Sequence, residues 1–268
     1  MSHWQTNFDR RRINGPEESF PPVYDEEEDQ DVFEQQWKEG QPRLGRGPRE
    51  IRPIYFRPGF ISQANGSAYI ETEKTKIACA VYGPRQSKST TYNEKGKLNV
   101  EVKFTPFSCK RRRAPMRDAE DRPIATQIHQ ALLSSVRLEL LPKSSIDIFV
   151  TIIENDGIEG CIAAGSIAAS AALADAGIEM FGLVVSCSAA MVGKEIWLDP
   201  TEDEAKAATA TFVCAGMPAL GTITSLWQNG RLTPQESVQC LEACQERSTD
   251  IHLVVAHGLL ESVDSSDG

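Results

Sequence analysis

The 268-residue sequence has no apolar run approaching the roughly 20 residues needed to span a bilayer, so no membrane role is expected. Its first residues, MSHWQTNFDRRRING, carry basic side chains but no apolar h-region, and they do not read as a secretory signal. The chain is therefore expected inside the cell, in a reducing compartment. Histidine is scarce, with four in all, and the seven cysteines include no CxxC pair. Cys240 and Cys244 lie one helical turn apart, but no second His or Cys pair matches them. A zinc site needs about four ligands at recognisable spacing. No metal is expected, and the thiols read as free and buried. No glycine or lysine spacing of a phosphate loop or dinucleotide site occurs either, so no cofactor is expected. Positive charge is short as well: 28 Lys and Arg stand against 38 Asp and Glu, a formal net charge of −10. That excludes coating a nucleic acid through overall charge. A local basic patch can still act, because screening makes nearby charges count for more than the total.

What is present falls into three stretches. Residues 1–48 are rich in charge and proline, with the acidic run DEEEDQDVFEQQWKE and little periodicity. Such a segment buries too little surface to order itself and reads as an extended arm. Phe33 and Trp37 among the acids could anchor it on a partner. Residues 49–262 read as the folded part, and 263–268 as a flexible tail.

Within the folded part, IRPIYFRPGF and SAYIETE read as strands around the turn ANG, and KTKIACAVYG as a third strand closed by Gly83-Pro84. Residues 87–97 are loop-like, and LNVEVKFTPF alternates as a strand whose Phe104 and Phe107 are expected on the core side. Apolar spacing near 3.6 predicts a helix over 122–141, ending before Pro142. SIDIFVTII follows as a buried strand, leading through a glycine-flanked turn into the alanine-rich helix of ENDGIEGCIAAGSIAASAALADAGIEM. LVVSCSAAMV and KEIWLDP read as strands, and TATFVCAGMPAL with GTITSLWQNG as a hairpin. The last helix opens at Thr233 with a capping box completed by Glu236. The class is α+β or α/β in two similar halves.

Three segments taken together, RPGFISQANGSAYIETEKTKIACAVYGPR, the strand–turn–helix of 146–176 and WLDPTEDEA, resemble the RNase PH fold family over about residues 50–260. RRINGPEES, GPRQ at 83–86, RRRAP at 111–115 and LADAGIEM at 173–180 narrow the resemblance to the ring subunits of the eukaryotic RNA exosome. The resemblance implies an α+β RNase PH fold (ribosomal protein S5 domain 2-like), with two βαβ-type halves, mixed sheets and packed helices. It implies a ring of related RNase PH-like subunits, capped by S1 and KH domain proteins, through which single-stranded RNA is threaded. It also implies residence in the nucleus, including the nucleolus, and in the cytoplasm.

Active members of that family cleave RNA from its 3′ end with inorganic phosphate. Two anions must then meet, so a cationic cradle and metal-holding carboxylates are required. The family's Gly-Thr/Ser-Arg cradle matches Gly160, Cys161 and Ile162 here, which removes both the hydroxyl and the guanidinium. Glu154, Asp156 and Glu159 flank the turn and are expected to repel phosphate. Of two aspartates six residues apart, Asp199 matches the first and Ala205 falls on the second, with Glu204 one residue away in a charge run that reads as a solvated loop. Arg122 is the nearest match to the family's arginines, out of register. The site reads as degenerate and the chain as a non-catalytic subunit. The alternative is an active phosphate-dependent exoribonuclease, or a chain completing a neighbour's shared site. Lys110, Arg111, Arg112, Arg113 and Arg117 form a basic loop expected to hold RNA phosphates.

Overall fold

The computed structural model describes residues 43, 45–86, 93–109, 112–113 and 121–266. The acidic arm with Phe33 and Trp37, and the basic residues Lys110, Arg111 and Arg117, lie outside these described residues.

The first sheet is built from β1 (Tyr55–Pro58), β2 (Gly66–Thr72), β3 (Thr75–Gln86), β4 (Lys97–Phe104) and β5 (Ser144–Glu154), in the order β1-β2-β3-β5-β4. It is mixed: β4 runs parallel to β5 and the other pairs are antiparallel. The parallel pair needs a crossover, and α1 (Arg122–Leu133) supplies it. Strand β3 does not close at Gly83-Pro84 but continues to Gln86, across a register shift between Tyr82 and Arg85.

Helix α2 (Ile158–Asp175) leads to the second sheet, made of β6 (Val185–Val192), β7 (Glu195–Leu198), β8 (Ala210–Met217) and β9 (Thr222–Gly230) in the antiparallel order β7-β6-β8-β9. A short helix, α3 (Glu202–Ala207), joins β7 to β8, and α4 (Pro234–Ser266) closes the chain. The α+β class and the two halves expected from sequence are present, with strand mixing confined to the first sheet. The expected hairpin is β8–β9, and the Thr233–Glu236 capping box forms. The backbone of α4 continues through Ser266, into the stretch read as a tail.

Two boundaries differ from the periodic reading. Helix α1 ends at Leu133, not before Pro142. Its continuation is broken when Ser135 turns its hydroxyl onto the carbonyl of Leu132 (2.8 Å) and Val136 pairs with Met180 as an isolated bridge. Leu138–Leu140 then form only a 3-10 turn. The charge run after β7 is not a solvated loop: it forms α3, in which Glu204 is buried.

The core is organised around α2. It packs against β2 and β3 of the first sheet and β6 and β8 of the second, with α1 alongside. A helix covered on all sides must be apolar all round, and α2 meets this with alanine, isoleucine, glycine and serine on every face. Among the described residues it is the one helix long and apolar enough to cross a membrane, yet 83% of it is buried inside the protein. Small residues set its distance from its neighbours. A Cβ on Gly66 of β2 would lie 2.2 Å from the amide nitrogen of Ala176 and 2.4 Å from the carbonyl oxygen of Ala172.

Candidate functional site

The turn between β5 and α2 carries the residues matched to a phosphate cradle. Gly157 adopts φ 118°, a conformation open to glycine, and the helix starts at Ile158. Asn155 organises the turn. Its Oδ1 accepts from the Gly157 amide (3.0 Å) and from the Cys161 thiol (2.9 Å), while its Nδ2 donates to the Cys109 sulfur (3.7 Å). Cys161 and Ile162 both point into the core. Burial, chiefly, pushes the Cys161 thiol far above its ordinary pKa, which favours the neutral thiol over the thiolate. Gly160 lies against Arg52 and Thr75, and its missing Cβ would sit 3.6 Å from each.

Arg52 is the centre of charge, and only 2% of it is exposed. Its guanidinium grips Asp199 bidentately, Nε to Oδ2 at 2.7 Å and Nη2 to Oδ1 at 2.6 Å, while Nη1 donates to Asp156 at 2.6 Å. The Arg52 amide donates to the same Asp199 Oδ2 at 3.0 Å, and Arg46 reaches it at 3.3 Å. Asp199 itself sits at φ 51°. Arg43 donates to both oxygens of Glu204 at 3.1 Å and to the carbonyls of Leu198 and Asp199. Glu204 also accepts from the Thr201 amide, closing the capping box of α3.

Burial opposes ionisation of Asp199, but hydrogen bonds and charge from Arg52 outweigh it and hold the carboxyl below the usual range. Asp156 stays above that range, because burial exceeds what Arg52 returns. Arg46 is lowered, first by burial and then by Arg43.

The chemistry follows from this count. Three guanidiniums (Arg43, Arg46, Arg52) meet three carboxylates (Asp156, Asp199, Glu204), so the formal charge of the cluster is zero. Both oxygens of Asp199 are filled by donors, and a carboxylate so occupied has little left to offer a cation. Among the described residues no group of three or more His, Cys, Asp or Glu is placed to hold a metal ion. The sequence reading expected the turn's acids to repel an anion, but Asp156 is paired with Arg52 and Glu154 with Lys76. The structure thus brings Gly160, Cys161, Ile162, Asp199 and Glu204 into one neighbourhood, but around a closed ionic knot. The sequence reading missed the three arginines. It assigned residues up to 48 to the arm, yet Arg43 and Arg46 belong to the folded body.

The basic segment leaves the same neighbourhood. After β4 the chain runs beside β5, with the Asn155 amide donating to the Ser108 carbonyl at 3.0 Å. Of the predicted RNA-binding residues, Arg112 and Arg113 are described. Arg113 lays its guanidinium on the Phe104 ring (3.8 Å to the centroid) and reaches Asp121 at 3.4 Å. Arg112 keeps a buried Nε without a hydrogen-bond partner. Phe107, expected in the core, is 56% exposed: the strand ends at Phe104, and the turn that follows loses the alternation on which that expectation rested.

One mixed and one antiparallel sheet pack around a shared alanine-rich helix, with a strand-to-helix turn facing the carboxylate that follows β7, a two-sheet α+β architecture. The chain belongs to the 3′ exoribonuclease (RNase PH) family: domain 1 of that family matches residues 50–179 and domain 2 matches residues 182–247. It is similar to exosome complex component mtr3 of Schizosaccharomyces pombe, 36% identical across 97% of this chain and 98% of that protein. Exosome complex component MTR3 of Homo sapiens is 37% identical across 88% of this chain and 90% of its own. The fold is shared with rice Rrp46 (TM-score 0.70, 21% identity, 80% of this chain and 98% of that one). It is shared too with a chain of the Archaeoglobus fulgidus exosome with RNA bound to the active site (TM-score 0.68, 18% identity, 78% and 91%).

Proposed function

We propose that this chain is a structural subunit of an RNA exosome core ring, supporting 3′-to-5′ RNA processing and degradation without catalysing phosphorolysis itself. The observation that carries the second half is the state of Asp199. The carboxylate in register with a family metal ligand is bound bidentately by Arg52 at 2.7 and 2.6 Å. Ile162 is buried where a phosphate-holding arginine stands in active members, and among the described residues the arginines at this turn are paired with carboxylates. The likeness to two Mtr3 components over nearly their whole length supports the first half.

The partners under this reading are other RNase PH-like ring subunits, S1 and KH cap proteins, and single-stranded RNA, in the nucleus and nucleolus and the cytoplasm. Co-purification from native cells followed by mass measurement of the intact assembly tests it. A stoichiometric ring containing one copy of this chain among like-folded subunits is expected, and a free monomer or homo-oligomer would rule the reading out.

A further inference from the structure

Phe107 lies in the turn that joins β4 to the basic segment, and its exposure is not that of a frayed loop. The Ser108 amide donates to the Thr105 carbonyl (3.1 Å), the Arg113 amide to Pro106 (2.9 Å), and the Asn155 amide to Ser108 (3.0 Å). The turn is thereby pinned to the residues that lead into α2, whose first residue, Ile158, is itself 52% exposed. The nearby Phe104 shows the other arrangement open to an aromatic here, its ring face covered by Arg113. Phe107 has no ring partner among the described residues. Among the described residues the Arg113 guanidinium meets a single carboxylate, Asp121, at 3.4 Å, and Arg112 is the cation beside it in the chain. A held, uncovered aromatic beside a guanidinium with one long carboxylate contact matches a polyanion that also presents flat apolar faces.

We propose that Phe107 is a stacking platform for one base of single-stranded RNA, with Arg112 and Arg113 taking the adjacent phosphates. The inference rests on the RNA-binding role proposed above and adds to it a discrimination by strandedness. Every base has a π-face, so stacking is tolerant of sequence, whereas in a duplex those faces are already buried against each other. The cations alone would hold single and double strands alike, through salt-dependent attraction to phosphate.

The test uses the reconstituted assembly and a single-stranded oligoribonucleotide containing 2-aminopurine, titrated at several salt concentrations. Phe107→Ala should weaken binding about fivefold or more and abolish quenching of the fluorescent base, while leaving the salt slope unchanged. Phe107→Trp should restore both. Arg112→Ala with Arg113→Ala should lower the salt slope by about one for each phosphate no longer neutralised. A Phe107→Ala assembly that binds within twofold of the parent overturns the stacking platform. So does one that falls apart, because a protein neighbour then covers the ring. If the arginine variants are also silent in an intact ring, the RNA-binding role itself fails; if they alone respond, that role stands and only the platform falls.

Discussion

Arg52 holds two carboxylates and leaves no polar edge of its own to solvent. Burying such a group costs free energy that its partners must return, and removing one partner leaves the others charged and dry. Arg52→Met should therefore destabilise the chain by about 3–5 kcal/mol at neutral pH, since Asp199 and Asp156 are left unpaired. For a domain of this size that is a fall in melting temperature of about 10 °C. The pH dependence has a defined sign. Asp199 is held below its ordinary range in the folded state, so the stability it lends is present above the unfolded carboxylate value of ~3.9 and lost as pH falls through the depressed folded value. Asp156, raised by burial, leans the other way and gains from protonation. Urea midpoints of parent and variant should thus differ widely at pH 7 and draw together as pH falls below the unfolded carboxylate value of ~3.9. A gap that stays constant over that range would show that Arg52 acts through packing alone.

At the scale of elements, the fold was largely legible because periodicity reports local structure. Alternation marked β4, apolar runs bounded by turn residues marked the other strands, and the alanine-rich run marked α2 even though a helix buried all round has no amphipathic stripe. The failures were those of long range. Nothing within a few residues of Arg43 or Arg52 marks them as structural: their carboxylate partners lie 161 and 147 positions away in sequence. The 122–141 reading failed because Leu138 and Leu140 keep the helical spacing after Ser135 and Val136 have already turned the chain. The close seat of α2 also makes a contrast that can be measured. Alanine at Gly66 would press on backbone atoms of Ala172 and Ala176 at 2.4 and 2.2 Å, which cannot swing aside. Alanine at Gly165 would meet only the terminal Cδ1 of Ile128 at 2.8 Å, and alanine favours the helix by about 1 kcal/mol. Gly66→Ala should cost about 3 kcal/mol, the upper end of overpacking, and Gly165→Ala close to nothing. Equal losses in chemical unfolding would mean that α2 does not sit in backbone contact with β2.

At the scale of the whole molecule, the turn before α2 and the carboxylates that follow β7 meet in one cluster of paired charges. Among the described residues, the cations nearest the turn, Arg43, Arg46 and Arg52, are spent on Asp156, Asp199 and Glu204. Under the reading proposed above, this pairing would give rigidity where an active member needs open valence. Purified chain incubated with 3′-labelled single-stranded RNA, inorganic phosphate and magnesium tests this most directly, by the release of nucleoside diphosphates. The account predicts no release above a protein-free control. Steady phosphate-dependent release that disappears in Asp199→Asn would contradict it.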